Sequence, residues 1–227
     1  MTMLTRNRQP AAGLSLILRR PNLTIGAAII LALVALALLS LAWTPVAPTK
    51  MQIVHKLKPP LSFGLFGTDQ FGRDIASMLM VGAWNSLSTA ALAVVLGGAA
   101  GTALGVLAAA RRGLVEALVM RVNDVIFAVP PILSAMMLGA LIGSGRFTAI
   151  IAIAVFMVPV FARVTASAAR QIWARDFVLA ARGAGKAAFL ITVEHVLPNI
   201  AGQIIVQATI QLGLAILTEA GLSFLGL

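Results

Sequence analysis

The stretch from Arg163 to His195 gathers eight ionisable groups: Arg163, Arg170, Arg175, Asp176, Arg182, Lys186, Glu194 and His195. Serine, histidine and acid residues occur in the chain, but nothing groups them, so no nucleophilic or acid–base constellation is present. The spacing points to recognition instead. Counted as a helix, Arg175, Leu179, Arg182 and Lys186 fall at i, i+4, i+7 and i+11 on one continuous face. Phe177, Ala181 and Ala184 form a second, apolar face. A short helix with a basic flank, an aromatic knob and small alanines suits a groove on a soluble protein. The alternative is a helix lying on anionic lipid. Gly183 and Gly185 weaken the helix, and a second amphipathic stretch runs from Ala187 to Val196 before Pro198.

Other chemistries are excluded by what is missing. The two histidines, His55 and His195, stand 140 positions apart and suggest no metal centre. There is no cysteine, hence no disulfide framework or thiolate site. No glycine loop ends in Gly-Lys-Ser or Gly-Lys-Thr, so a nucleotide is not hydrolysed here by that route. The net charge of +10 is spread along the chain without a long basic run interleaved with aromatics, which argues against nucleic acid as a partner.

The elements that must position the basic stretch are membrane spans. With 60% hydrophobic residues and a mean hydropathy of +1.00, a soluble domain would expose large apolar patches. About 20 apolar residues cross the hydrocarbon, and five runs qualify. They are Leu23 to Trp43, Trp84 to Ala109 (cut from a charge-free run that begins at Ile75), Val125 to Gly145, Phe147 to about Ala168, and Val196 to Thr218. Arg163 falls near the end of the fourth, where its stem can reach the interface and avoid the roughly 2.5–3.5 kcal/mol of a mid-bilayer charge. With the N-terminus inside, the inner segments hold 12 of the 17 Lys and Arg, among them Arg6, Arg8, Arg19 and Arg20. Lys50, Lys56, Lys58, Arg73 and Arg146 fall outside, so the distribution of positive charge favours this orientation. Trp43, Trp84 and Trp173 are expected at the interfaces. The Arg19-Arg20 pair and the Ser40-Leu41-Ala42 triplet hint at a cleaved signal peptide, but the apolar stretch is longer than the roughly 7–15 residues usual for one.

Gly97, Gly101 and Gly105 repeat at four-residue spacing and present bare patches on one helix face for close packing. Pro130-Pro131 and Pro159 should bend or loosen the third and fourth spans. No Asp, Glu, Lys or His stands at the middle of a span, which disfavours a proton- or sodium-coupled carrier.

The basic loop resembles the Glu-Ala-Ala-x-x-x-Gly motif, followed by Ile-x-Leu-Pro, of importer-type ATP-binding-cassette permeases. Ala180, Ala181, Gly185, Leu197 and Pro198 match in register, and His195 takes the isoleucine place in the His-x-Leu-Pro-Asn form of the dipeptide, oligopeptide and nickel branch. Gly67-Thr68-Asp69-Gln70-Phe71-Gly72-Arg73-Asp74, Asn123-Asp124-Val125 with Pro130, and Glu219 to Gly226 add to the likeness. The resemblance implies an all-α integral membrane protein of the bacterial inner membrane, working as a permease subunit for peptides or a related small solute such as nickel. It implies a second permease subunit, two cytoplasmic ATP-binding subunits that use ATP and Mg, and an external substrate-binding protein, with no catalytic residue, cofactor or metal in this chain. On this reading residues 1–22 are a cytoplasmic segment, 23–43 the first span and 44–83 a periplasmic loop. Residues 84–227 are then the permease core, with its coupling loop at 169–195. Arg175, Asp176, Phe177, Leu179, Ala180, Ala181, Arg182, Gly185 and Lys186 dock the ATPase, and His195, Leu197 and Pro198 hinge the loop to the fifth span.

Two departures stand out. The motif's glutamate is Leu179, which leaves Arg175 and Arg182 without a carboxylate neighbour worth some tenths of a kcal/mol per pair. The branch normally carries a sixth span, and the chain stops at Leu227 after the fifth, which places the C-terminus outside. The second reading is therefore a shortened, non-transporting membrane protein or scaffold that still binds an ATPase subunit.

Overall fold

The computed structural model describes residues 21–226, so the expectations for Arg6, Arg8, Arg19 and Arg20 lie outside the described residues. These residues fall into two compact units divided between Asn85 and Ser86. Among the described residues the ordered elements are helical.

In the first unit, α1 (Pro21–Ala42) starts on a proline, whose missing N–H is no loss at the first helical position. Its 22 residues span about 33 Å, enough for the hydrocarbon core. Nearly every side chain along it is exposed, as befits a helix solvated by lipid. The following segment is tied by polar side chains. Asp69 accepts from the backbone N–H groups of Phe71 (2.8 Å) and Arg73 (2.9 Å) and from Arg73 Nε (2.7 Å). The Thr68 hydroxyl accepts from the Lys58 N–H at 2.9 Å and donates to the His55 carbonyl. Gly72, at φ +73°, leaves no room for a side chain: a Cβ there would stand 1.8 Å from the Gln52 carbonyl oxygen. Asp74, 1% exposed, accepts from the Ser77 N–H (2.9 Å) and hydroxyl (2.6 Å), serving the free donors at the start of α2 (Ile75–Ala110). The helix therefore starts at Ile75, nine residues before the expected second span, because the Asp74 cap comes ahead of the apolar run.

The second unit contains the rest of α2, then α3 (Leu114–Ala128), α4 (Pro131–Ile142), α5 (Arg146–Trp173), α6 (Asp176–Gly183), α7 (Ala188–Ile191), a wide turn at Thr192–Val196 and α8 (Leu197–Phe224). Among the described residues four helical stretches are long and apolar enough to cross a membrane, and a fifth arises only if α3 and α4 count together. The bend expected at Pro130-Pro131 in the span from Val125 to Gly145 is a corner between two helices, which meet at 85°. Val129, forced out of the helical region by the proline after it, is extended (φ −100°, ψ 128°), and Pro131 opens the next helix.

The core is built on α5, which buries Ala152, Ile153, Met157, Phe161, Ala162 and Ala166 among others. Pro159 is buried within it and the helix continues. The glycines of α2 lie against this helix. A Cβ at Gly97 would be 2.4 Å from the Ala154 carbonyl oxygen, one at Gly101 2.4 Å from that of Val158, and one at Gly105 2.7 Å from that of Ala162. Backbone thus touches backbone, and the small residues replace side-chain interdigitation with direct van der Waals contact.

Arg163, expected near the end of the fourth span, is held by two contacts from α3. Because α5 runs on to Trp173, Arg163 lies well inside the helix, with Asp124 of α3 at 2.6 Å and the Phe127 ring 4.6 Å below its guanidinium. Arg170 pairs with Glu116 on the same helix α3. Glu116 and Asp124 of α3 thus each meet a cation on α5.

Candidate functional site

The expected helix over Arg175 to Lys186 is shorter, Asp176–Gly183, with Arg175 extended before it (φ −80°, ψ 146°). Asp176 in the first turn and Arg182 in the last complement the helix dipole. Its far end is a Schellman cap: the Gly185 N–H donates to the Arg182 carbonyl (2.9 Å) and the Lys186 N–H to that of Ala181 (3.1 Å). Gly185 sits at φ +80°, which explains a glycine there: an L side chain would be strained.

What holds this helix is a residue the sequence reading passed over. Val178 is fully buried among Trp173, Ala168 and Ala169 of α5 and Ile191, Val196 and Ile200 further on. Ala181, one turn later, packs on the same cluster, so it belongs to the inner face and not to the contact face shared with Phe177 and Ala184. The signal was available: Val178 and Ala181 are three apart, one helical side. Trp173, expected at an interface, is 8% exposed and part of this cluster.

Outward lie Phe177 (47% exposed), Leu179 (50%), Ala180 and Ala184, with Arg175, Asp176 and Arg182 exposed around them. Lys186 leaves the expected basic stripe: its ammonium pairs with Glu194, which closes α6 onto the wide turn. The glutamate was also missed, although it follows Lys186 by eight residues with no competing acid between. The presented surface is thus Arg175, Asp176 and Arg182 around a leucine and a phenylalanine.

The expected hinge at His195, Leu197 and Pro198 is continuous with helix. The chain stays helical from Ala188 through the wide Thr192–Val196 turn into α8, where Pro198 occupies the first turn. The wide turn shifts the hydrogen-bond register by one residue, which lets the backbone accommodate Pro198 without a break. His195 faces Phe177 edge-on at 6.1 Å, and the Asn199 amide donates to its carbonyl at 2.6 Å. The structure therefore brings Phe177, Lys186, Glu194 and His195 together at the foot of α8. Gly97, Gly101 and Gly105 lie apart from this group, on the α2–α5 contact. Among the described residues no group of three or more His, Asp or Glu is placed to hold a metal.

Residues 101–227 match the family described as binding-protein-dependent transport system inner membrane component. The chain is 31% identical over 223 residues to the probable D,D-dipeptide transport system permease protein DdpC of Escherichia coli K12, covering 98% of this chain and 75% of that protein. It is 36% identical over 185 residues to a putative peptide permease protein of Brucella abortus, covering 82% of this chain and 61% of that one. Against the glutathione transport system permease protein GsiD of Escherichia coli, identity is 40% over 162 residues, 71% of this chain and 54% of that one. The chain thus spans between about half and three quarters of the length of these curated relatives. An all-α chain of apolar helices, a short capped helix carrying the Ala180-Ala181 and Gly185 motif, and these matches together place it in the family of binding-protein-dependent transport system inner membrane components.

Proposed function

We propose that the chain is a permease subunit of an ATP-driven importer, forming part of the path for di- or oligopeptides or a related small solute such as nickel. It sits in the bacterial inner membrane with its N-terminus in the cytoplasm and pairs with a second permease subunit. The pair receives substrate from an external binding protein, and two ATP-binding subunits, which use ATP and Mg, dock beneath it.

The observation that carries this reading is the construction of α6. Val178 anchors the helix from below, Gly185 and the Lys186–Glu194 pair fix its exit, and Phe177, Leu179 and Ala180 are left facing outward. Apolar side chains displayed on a rigidly mounted helix, flanked by two arginines, suit a groove with an acidic rim. Motion of the docked partner reaches the span through Phe177 and His195 at the foot of α8, and no residue here makes or breaks a covalent bond. Co-expression with the ATPase and second permease subunits encoded beside it should give a complex with ATP-dependent solute uptake into vesicles. Binding without uptake by the complete set would refute the transport role.

A further inference from the structure

Gln211 stands near the middle of α8 and is only 6% exposed, yet among the described residues nothing hydrogen-bonds its side-chain amide. The buried hydroxyls of Thr148 and Thr192, by contrast, donate to the carbonyls of Gly143 (2.6 Å) and Ala188 (2.9 Å). Asn123 Oδ1 and the Thr165 hydroxyl are also unpartnered, but neither lines the cavity on which Gln211 opens. That cavity lies in the corner between α3 and α4, with Phe127 and Pro131 on one side, Phe156 and Met157 of α5 on another, and Thr218 beside Gln211 on α8. Thr218 spends its hydroxyl proton on the Leu214 carbonyl at 2.8 Å, so the Gln211 amide is the one side chain in the lining with free donors.

A buried amide in a membrane helix costs free energy unless something answers it. Its chemistry says what can. One carbonyl acceptor and two N–H donors match, bond for bond, the N–H and C=O of a peptide group. A metal cation would find neither carboxylate nor imidazole in the lining. We propose that Gln211 reads the peptide bond of the transported solute, pairing its amide with that group as the solute passes the α3–α4 corner. The inference rests on the transport role proposed above and narrows its solute to one that carries an amide.

The assembled complex in vesicles, with ATP and the external binding protein, is given alanyl-alanine or its ketomethylene analogue, in which a methylene replaces the peptide N–H. Selection by the binding protein is common to every permease variant, so a change in the ratio of the two uptake rates belongs to the permease. Wild type should favour alanyl-alanine, and Gln211→Leu should lower that ratio about tenfold, the factor carried by one hydrogen bond. Gln207→Leu, one turn away and outside the lining, should keep the wild-type ratio. Thermal unfolding of the full 227-residue chain in detergent gives a second readout. Gln211→Leu should raise the unfolding temperature, since it removes a buried polar group that the fold leaves unanswered. A ratio unchanged by Gln211→Leu overturns the amide contact and leaves the transport role in place. An unfolding temperature lowered by Gln211→Leu overturns it too, because the amide would then be holding the helices. No uptake by the wild-type complex refutes the transport role, and this inference falls with it.

Discussion

The Phe177 ring meets the His195 imidazole edge-on, with centroids 6.1 Å apart and planes inclined by 68°. Phe177 is on the short helix α6 and His195 is on the turn that leads into α8, so the pair joins the displayed surface to a membrane helix by a route separate from the buried Val178. An edge-on aromatic pair contributes about 0.5–1.5 kcal/mol. Phe177→Ala should leave the helices folded, as judged by circular dichroism, and reduce substrate-stimulated ATP hydrolysis in the assembled complex several-fold. Unchanged stimulation would show that motion passes elsewhere.

Val178→Ala acts on the mounting and not on the surface. Removing two methyl groups from a fully buried site costs about 2 kcal/mol. Because α6 has only eight residues and little helical stability of its own, that loss should appear locally. Faster amide exchange over residues 176–183 is expected, with the amides of α5 unaffected. Equal loosening of α5 and α6 would contradict the local mounting.

At position 179 a carboxylate would stand four residues after Arg175 and three before Arg182, within reach of both. Leu179 is half exposed, so the substitution strands no buried charge. Leu179→Glu is expected to keep or raise substrate-stimulated ATPase activity in the assembled complex. A large loss would mean that the partner surface is built for the leucine.

Some of these features were legible in the sequence because they are local. The glycine spacing at 97, 101 and 105 is a periodicity, and the Ala180-Ala181 motif with Gly185 is a short string. The break between α3 and α4 was legible as a bend at Pro130-Pro131 but not as an 85° corner, since an X-Pro step limits the backbone without fixing the direction of the next helix. Asp124 and Glu116 were unreadable as partners of Arg163 and Arg170, because 39 and 54 positions separate them and only tertiary packing brings them close. Val178 stands between the more conspicuous Phe177 and Leu179, and only its spacing of three from Ala181, not its size, marks it as the inner side of the helix.

The Asp69 turn carries a pH dependence. Desolvation pushes its carboxyl up, but the hydrogen bonds from Arg73 and Phe71 and the nearby Arg73 charge outweigh this and hold it below 3.8. A carboxylate depressed in the folded state stabilises above its unfolded value and loses that contribution as pH falls through the lower folded value. The turn should therefore resist pepsin at the ordinary carboxylate pKa and open progressively only as the pH falls below that range. Asp69→Asn should flatten that dependence. A wild-type turn that opens at pH 5 would contradict the direction of the shift.

Gly101→Ala separates close packing from helix propensity. Alanine favours a helix interior over glycine by about 1 kcal/mol, and that gain is all the change should bring where space is open. At Gly213 in α8 nothing lies within 4 Å of a built Cβ, so Gly213→Ala should raise the unfolding temperature of the chain in detergent. At Gly101 the same methyl would stand 2.4 Å from the Val158 carbonyl oxygen and 2.7 Å from the Phe161 Cβ. Both are rigid parts of α5, so α2 must back away, and the contacts at Gly97 and Gly105 open with it. The expected net loss is up to about 2 kcal/mol, the overpacking cost of a filled core (roughly 1–3 kcal/mol) less the propensity gain of about 1 kcal/mol. Gly101→Ala should therefore lower the unfolding temperature while Gly213→Ala raises it. A rise for both would mean that α2 and α5 are not pressed backbone to backbone.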